Sequence, residues 1–140
     1  LLAPQSMFVT WDIVIGGHPL RVVNAHLGLL PGSRAAQAHA LIDKIGTLDP
    51  RPTLLLGDLN EWRSGGAALE ALGQRFSIAS PRASFPSRFP LLALDRIMSC
   101  EHGELLGMAT HDSPLARRAS DHLPVIARLR LGARPAAHTR

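Results

Sequence analysis

Apolar side chains recur at alternate positions from residue 7 to residue 15: Met7, Val9, Trp11, Ile13 and Ile15 share one face, with Thr10 and Asp12 on the other. A period of two sustained over that length reads as a half-buried β-strand. Gly16-Gly17-His18-Pro19 has the chemistry of a turn, and 20–27 is a second β-rich run. A hairpin is therefore predicted at the start of the chain.

Beyond the hairpin, helix and strand signals alternate. Leu30-Pro31-Gly32 breaks the β pattern, and Ser33 is predicted to cap a helix running to about Lys44. Ala38, Leu41, Ile42 and Ile45 have helical spacing, and Gly46 suits the stop. The unbroken apolar run at 53–56 predicts a strand buried on both faces. A short helix is predicted over about 67–72, an irregular Pro/Ser/Arg/Phe-rich stretch over 81–90, a strand over 94–100 and an edge strand over 104–109. Residues 122–131 alternate again, with Val125, Ala127, Leu129 and Leu131 inward against Arg128 and Arg130 outward. Residues 1–131 then make one domain, and 132–140 a flexible tail. The predicted class is α/β (α+β), a mainly antiparallel mixed sheet with flanking helices.

Composition narrows the function. At 140 residues and 46% hydrophobic, the chain can bury a core and is neither disordered nor fibrous. Asp12, His18, Arg21 and Asn24 interrupt the first apolar region, so no stretch approaches the ~18–20 residues that span a bilayer. Leu1-Leu2-Ala3 lacks the basic lead of a signal peptide, and a cytoplasmic location is expected. The single cysteine, Cys100, excludes a disulfide scaffold or a cysteine-based zinc site. The net charge is +4, yet of fifteen basic residues only Lys44 is lysine, and the arginines are scattered among few aromatics. Such a pattern permits a phosphate-bearing substrate without demanding nucleic acid.

Polar residues collect at strand ends. Asn24 and His26 are two apart, on one face of their strand. Gly57-Asp58-Leu59-Asn60 closes the buried strand, Asp95 interrupts the apolar 91–98 region, and Ser120-Asp121-His122 opens the last strand. Taken singly, Asp-x-Asn is more often a turn and a lone histidine more often structural. Asp95 is different, because a carboxylate in a strand is costly to bury unless paired. Together these residues bring carboxylates, amides and imidazoles to one sheet edge, as a hard-cation, phosphate-handling site requires.

The ordered set resembles the endonuclease/exonuclease/phosphatase superfamily of metal-dependent phosphoesterases over about residues 7–131. Asn24-Ala25-His26-Leu27 is similar to the family's Asn-x-His-Leu strand, with Arg34 and Gln37 at the start of the next helix. Gly57-Asp58-Leu59-Asn60 is similar to its Gly-Asp-(Phe/Leu)-Asn signature. Phe85-Pro86, Leu94-Asp95-Arg96-Ile97 and Ser120-Asp121-His122-Leu123-Pro124-Val125 resemble its late blocks.

The resemblance implies half of a four-layer α/β sandwich and a hydrolytic site. In it His122 is the general base oriented by Asp95, and Asp58 and Asn60 position water, metal or phosphoryl oxygens. Asp58 and Asp121 hold Mg2+ or Mn2+, and Asn24, His26 and Asn60 bind the phosphate. The substrate would be a phosphoester: a lipid head group, a small phosphodiester or nucleic acid. Family members run to about 250 residues and carry an earlier Asn strand and a Gln-Glu metal motif, whereas Gln5 here precedes Ser6. The chain is thus expected to be the C-terminal portion of the domain, a fragment with weak metal binding and little activity. It should self-associate as a homodimer through an uncovered apolar face bearing Val9, Trp11, Ile13, Val125 and Leu129. The alternative is a non-catalytic interaction module that keeps the half-fold.

Overall fold

The computed structural model describes residues 8–100 and 103–132; Met7 and all of the expected tail except Gly132 lie outside them. β1 (Phe8–Ile15) and β2 (His18–Ala25) form the predicted antiparallel hairpin, with Ile15 opposite His18 and Phe8 opposite Ala25. Its two-residue turn holds Gly16 and Gly17 at φ 54° and 82°, the left-handed pair that matches the twist of the flanking strands. The chain crosses over through α1 (Pro31–Gly46) to β3 (Thr53–Asp58), which lies parallel to β2.

After α2 (Ala67–Gly73) come the two-residue strand β4 (Ser77–Ile78) and β5 (Asp95–Ser99), antiparallel to both β3 and β4. The resulting five-stranded sheet has the order β1-β2-β3-β5-β4 and is mostly antiparallel, in a mixed α+β fold. Among the described residues the last two strands, β6 (Gly103–Thr110) and β7 (Val125–Leu131), pair only with each other in a separate antiparallel ribbon. Between them lies α3 (Pro114–Ala119), a short helix that the sequence pattern does not predict. Its signal is local: Ser113 caps it by accepting from the Ala116 N–H at 3.1 Å, with Pro114 at the first position.

The helix layer lies on one face of the sheet. Val23 and Ala25 of β2, Leu55 of β3 and Met98 of β5 pack against Ala38, Leu41 and Ile45 of α1 and Leu69 and Leu72 of α2. The cap expected at Ser33 is displaced: α1 starts at Pro31, Leu30 precedes it, and no side chain caps it. Proline serves there because the N–H it lacks would have no partner in the first turn. The strand expected to be buried on both faces is not. Thr53 and Leu55 are buried toward the helices, but Leu54 and Leu56 are only half-buried.

The register carries that less covered face across the sheet, since Trp11 pairs with Val22, Val22 with Leu54, and Leu56 with Ile97. At its β1 edge Val9 and Trp11 are 53% and 50% exposed. Val125 and Leu129, expected on an uncovered face, are half-buried, and the exposed apolar residue of β7 is Ile126.

Gly57 controls how β2 and β3 leave the sheet. Its φ is +139°, and a Cβ there would stand 1.9 Å from the Ala25 carbonyl oxygen. Gly57→Ala should therefore lower the thermal midpoint far more than Gly16→Ala, where φ is +54° but no atom lies within 4 Å of a Cβ. Thermal unfolding followed by circular dichroism checks this, and equal losses would show that the β2–β3 contact yields freely.

Candidate active site

Asp58 ends β3 and Asp95 begins β5, and the two are direct partners across that antiparallel ladder. Like charges directly opposite one another are destabilising unless a cation or donor lies between them. His122 meets both. Its Nδ1 lies 2.7 Å from Asp95 Oδ2, and its Nε2 lies 3.7 Å from Asp58 Oδ2. Ser84 Oγ donates to the same Asp95 oxygen at 2.5 Å. His26, one residue past β2, places its Nε2 3.6 Å from Asp58 Oδ2 while its ring stays largely exposed.

Asp58 divides its oxygens between structure and site. The Asn60 N–H donates to Asp58 Oδ1 at 2.9 Å, which closes a turn and leaves Oδ2 toward the two histidines. Asn60 takes φ 52°, a left-handed conformation that asparagine tolerates, and its Nδ2 donates to the Leu27 carbonyl at 2.6 Å. So the turn reading of Asp-x-Asn holds, and the turn leaves Asp58 Oδ2 beside the two histidines. The Asn24 side-chain oxygen lies close over Gly57, 2.9 Å from where a Cβ would be.

Loops, not a strand, position His122. The sequence pattern predicts that it opens the last strand, but β7 begins at Val125 and His122 sits in the bend before it. Three anchors tie that bend to the 84–92 loop. Leu123 N–H donates to the Ser84 carbonyl at 2.8 Å, Ser87 N–H to the Asp121 carbonyl at 2.7 Å, and Ser87 Oγ to the Ser120 carbonyl at 2.6 Å. The Phe85 ring lies 4.9 Å from the imidazole, centre to centre. Asp121 itself is exposed, makes no side-chain hydrogen bond or ion pair among the described residues, and stands outside the group that His122 joins with Asp58 and Asp95.

Two further residues organise this region: Ser84, which stands in the Ser-Phe-Pro block that resembles the family's, and Glu61, which carries no clear signal in the sequence. Glu61 is buried against Arg34 at 3.2 Å, and Arg96 donates to the Glu61 carbonyl at 3.2 Å. Arg34 also donates to the Leu29 carbonyl at 2.5 Å, and Gln37 Oε1 accepts from the Gly28 N–H at 2.8 Å. Arg34 and Gln37 thus pin the segment just after His26 to α1.

Partial burial disfavours a charged His122, but the hydrogen bond to Asp95 and the charges of Asp95, Asp58 and Asp121 outweigh it and raise its pKa above the ordinary value. Among the described residues, ligand atoms of Asp58, Asp95 and His122 all lie within 4.8 Å of one another. Two carboxylates and an imidazole this close are a ligand set that a divalent cation could use. An oriented imidazole beside such a cluster can take a proton from water next to a phosphorus centre.

The fold belongs to a known class. The model of the Endonuclease/Exonuclease/phosphatase family matches residues 6–122, and the chain belongs to that family. It is 33% identical over 129 residues to the uncharacterized protein YbhP of Escherichia coli, covering 82% of this chain and 48% of that protein. The chain therefore spans about half the length of the curated relatives it matches. Among solved structures it is similar to a mannosyl-6-phosphatase of Bacteroides thetaiotaomicron (18% identity, TM-score 0.69, 83% of this chain and 53% of that one). It is similar as well to TDP2 of D. rerio, solved with a single-strand DNA product (16% identity, TM-score 0.69, 88% and 61%). These two likenesses show the shared fold.

In the metal-free protein the His122 ring should titrate above about 6.5, the unfolded value, and Asp95→Asn should bring it down. Because the folded pKa is the higher one, the pair's contribution to stability is complete below the unfolded value and is lost as pH rises through the folded value. NMR titration of the ring protons together with denaturation at several pH values checks both effects. An unmoved His122 titration in Asp95→Asn would refute the pairing.

Proposed function

We propose that this chain carries the hydrolytic residues of a metal-dependent phosphoesterase that cleaves a phosphodiester or phosphomonoester by water attack. The observation that carries the reading is the Ser84–Asp95–His122 relay facing Asp58 across the end of the sheet. Family membership supports hydrolase chemistry. The similar folds, a mannosyl-6-phosphatase and a protein bound to single-strand DNA product, agree on a phosphate group and differ in everything attached to it.

Each residue has a task in this reading. Asp95 holds Nδ1 of His122 and so fixes its tautomer, which leaves Nε2 to accept the proton of the attacking water. His26, with Asn24 nearby and the second amide proton of Asn60, donates to phosphoryl oxygens as their charge grows. Asp58, with Asp121 at the rim, would hold the divalent ion. Bound there, Mg2+ or Mn2+ would neutralise charge on the phosphoryl oxygens.

His122→Ala should lower phosphoesterase turnover by about 10²–10⁴-fold while leaving the far-UV circular dichroism unchanged. The assay uses the protein that contains this chain, with Mg2+ or Mn2+ present and a generic phosphodiester and phosphomonoester as substrates. Unchanged turnover would end the assignment and favour a non-catalytic binding module. Rate should also fall as pH drops through the His122 pKa, because only the neutral ring accepts a proton.

Self-association belongs to the same reading. Val9, Trp11 and Ile13 expose an apolar stripe on β1, and covering it is favourable at about 25 cal/mol per Å². Residues 1–140 produced alone should form a homodimer that Trp11→Lys shifts toward monomer in multi-angle light scattering. A monomer at high concentration would refute it.

A further inference from the structure

A cavity of about 380 Å³ lies at the opposite end of the sheet from the hydrolytic residues. It opens beside Arg21 and Thr53, where β2 and β3 pair as they begin, whereas His26 and Asp58 stand where those strands end. From Thr53 to Asp58 the strand rise puts roughly 16 Å between the two places. Arg21, Arg51 and Arg75 all line the cavity. The Arg21 side chain is only 5% exposed, with Nε on Asp12 Oδ1 at 3.0 Å and Nη1 on the Asp49 carbonyl at 2.9 Å. Its Nη2 has no partner among the described residues. Arg51 Nη1 lies 3.3 Å from the other Asp12 oxygen, and its Nε is buried with no hydrogen-bond partner. Arg75, two residues past α2, holds its Nη1 3.7 Å from where a Cβ on Gly46 would be, at the end of α1. It forms no hydrogen bond or ion pair among the described residues.

We propose that this cavity is a second anion site, which takes a small oxyanion of the phosphate or carboxylate kind between Arg21, Arg51 and Arg75. The charge count favours it. Three guanidinium groups meet two carboxylates there, and one of these, Asp49, is 90% exposed and 3.9 Å from Arg51. Asp12 divides its oxygens between Arg21 and Arg51, which ties the hairpin to the segment before β3 and accounts for one edge of each guanidinium. The remaining donors have no such structural task. A guanidinium only donates, in a planar fork that matches carboxylate and phosphate oxygens. An apolar ligand would leave those donors unpaired, and a cation would meet the surplus positive charge. The inference is independent of the phosphoesterase reading, since none of its residues belongs to that site.

The test is an NMR titration of the protein that contains this chain, followed at the Nε–H resonances of Arg21, Arg51 and Arg75. Inorganic phosphate and succinate are the probes, with sodium chloride holding the ionic strength constant. At least one probe should shift the three resonances together and saturably. Phosphate alone doing so assigns the cavity to phosphate groups, succinate alone to carboxylates, and both to either oxyanion. Arg75→Ala should weaken the affinity read at Arg21 about fivefold, the worth of one charge-assisted hydrogen bond at an open site. Arg75 is exposed and unpaired among the described residues, so this variant should keep the fold, which the backbone amide spectrum checks. Shifts that chloride reproduces, or an affinity unchanged in Arg75→Ala, would overturn the proposal. So would a shift at Arg21 that disappears in His122→Ala, because the anion would then lie at the hydrolytic site.

Discussion

Two carboxylates stand opposite each other where β3 and β5 end, and the arrangement of the surrounding loops answers that repulsion. Asp58 and Asp95 share a register position, so the backbone ladder itself fixes their proximity. Paired like charges at such a position cost free energy until a donor or cation joins them. His122 joins both, Ser84 adds a hydroxyl to Asp95, and the Asn60 N–H takes the remaining oxygen of Asp58. A group of charges held so close, each with an assigned partner, is suited to tuning a base and to receiving a divalent ion.

Buried charge behind the site keeps this geometry in place. Arg34, Glu61 and Arg96 are nearly inaccessible, and burial lowers the Arg96 pKa while Glu61 opposes that shift. A buried ion pair adds little net stability over apolar packing, but losing one partner leaves an uncompensated charge that costs about 3–5 kcal/mol. What this cluster supplies is placement: it ties the segment after His26, the segment after Asn60 and the start of β5 to one another. The ends of β2 and β3 and the start of β5 are therefore tied to one another.

The two faces of the sheet do different work. Helices α1 and α2 seal one face with Leu41, Ile45, Leu69 and Leu72. Asp58 and Asp95 continue the opposite face, in line with Leu54, Leu56 and Ile97. That face grades from half-buried in the middle of the sheet to exposed at Trp11, so chemistry and uncovered apolar surface adjoin on one side of the molecule.

Residue periodicity and turn chemistry determined the hairpin, α1, β3, α2 and β5, because each rests on local preferences that tertiary packing did not override. The alternation in β1, the Gly16-Gly17 turn and the 3–4 spacing of Ala38, Leu41 and Ile45 are properties of neighbours in sequence. The motif order also made the family legible. Sequence alone did not show that Asp58 faces Asp95, since register depends on which strands meet. Nor did it show that the last two strands leave the main sheet, that Ser33 is not the cap, or that Leu54 and Leu56 lack full cover. Glu61 reads as an ordinary surface charge until Arg34 and Arg96, 27 and 35 residues away, close around it. Contacts between such distant residues are set by loop closure and by the strand order, which only the folded chain decides.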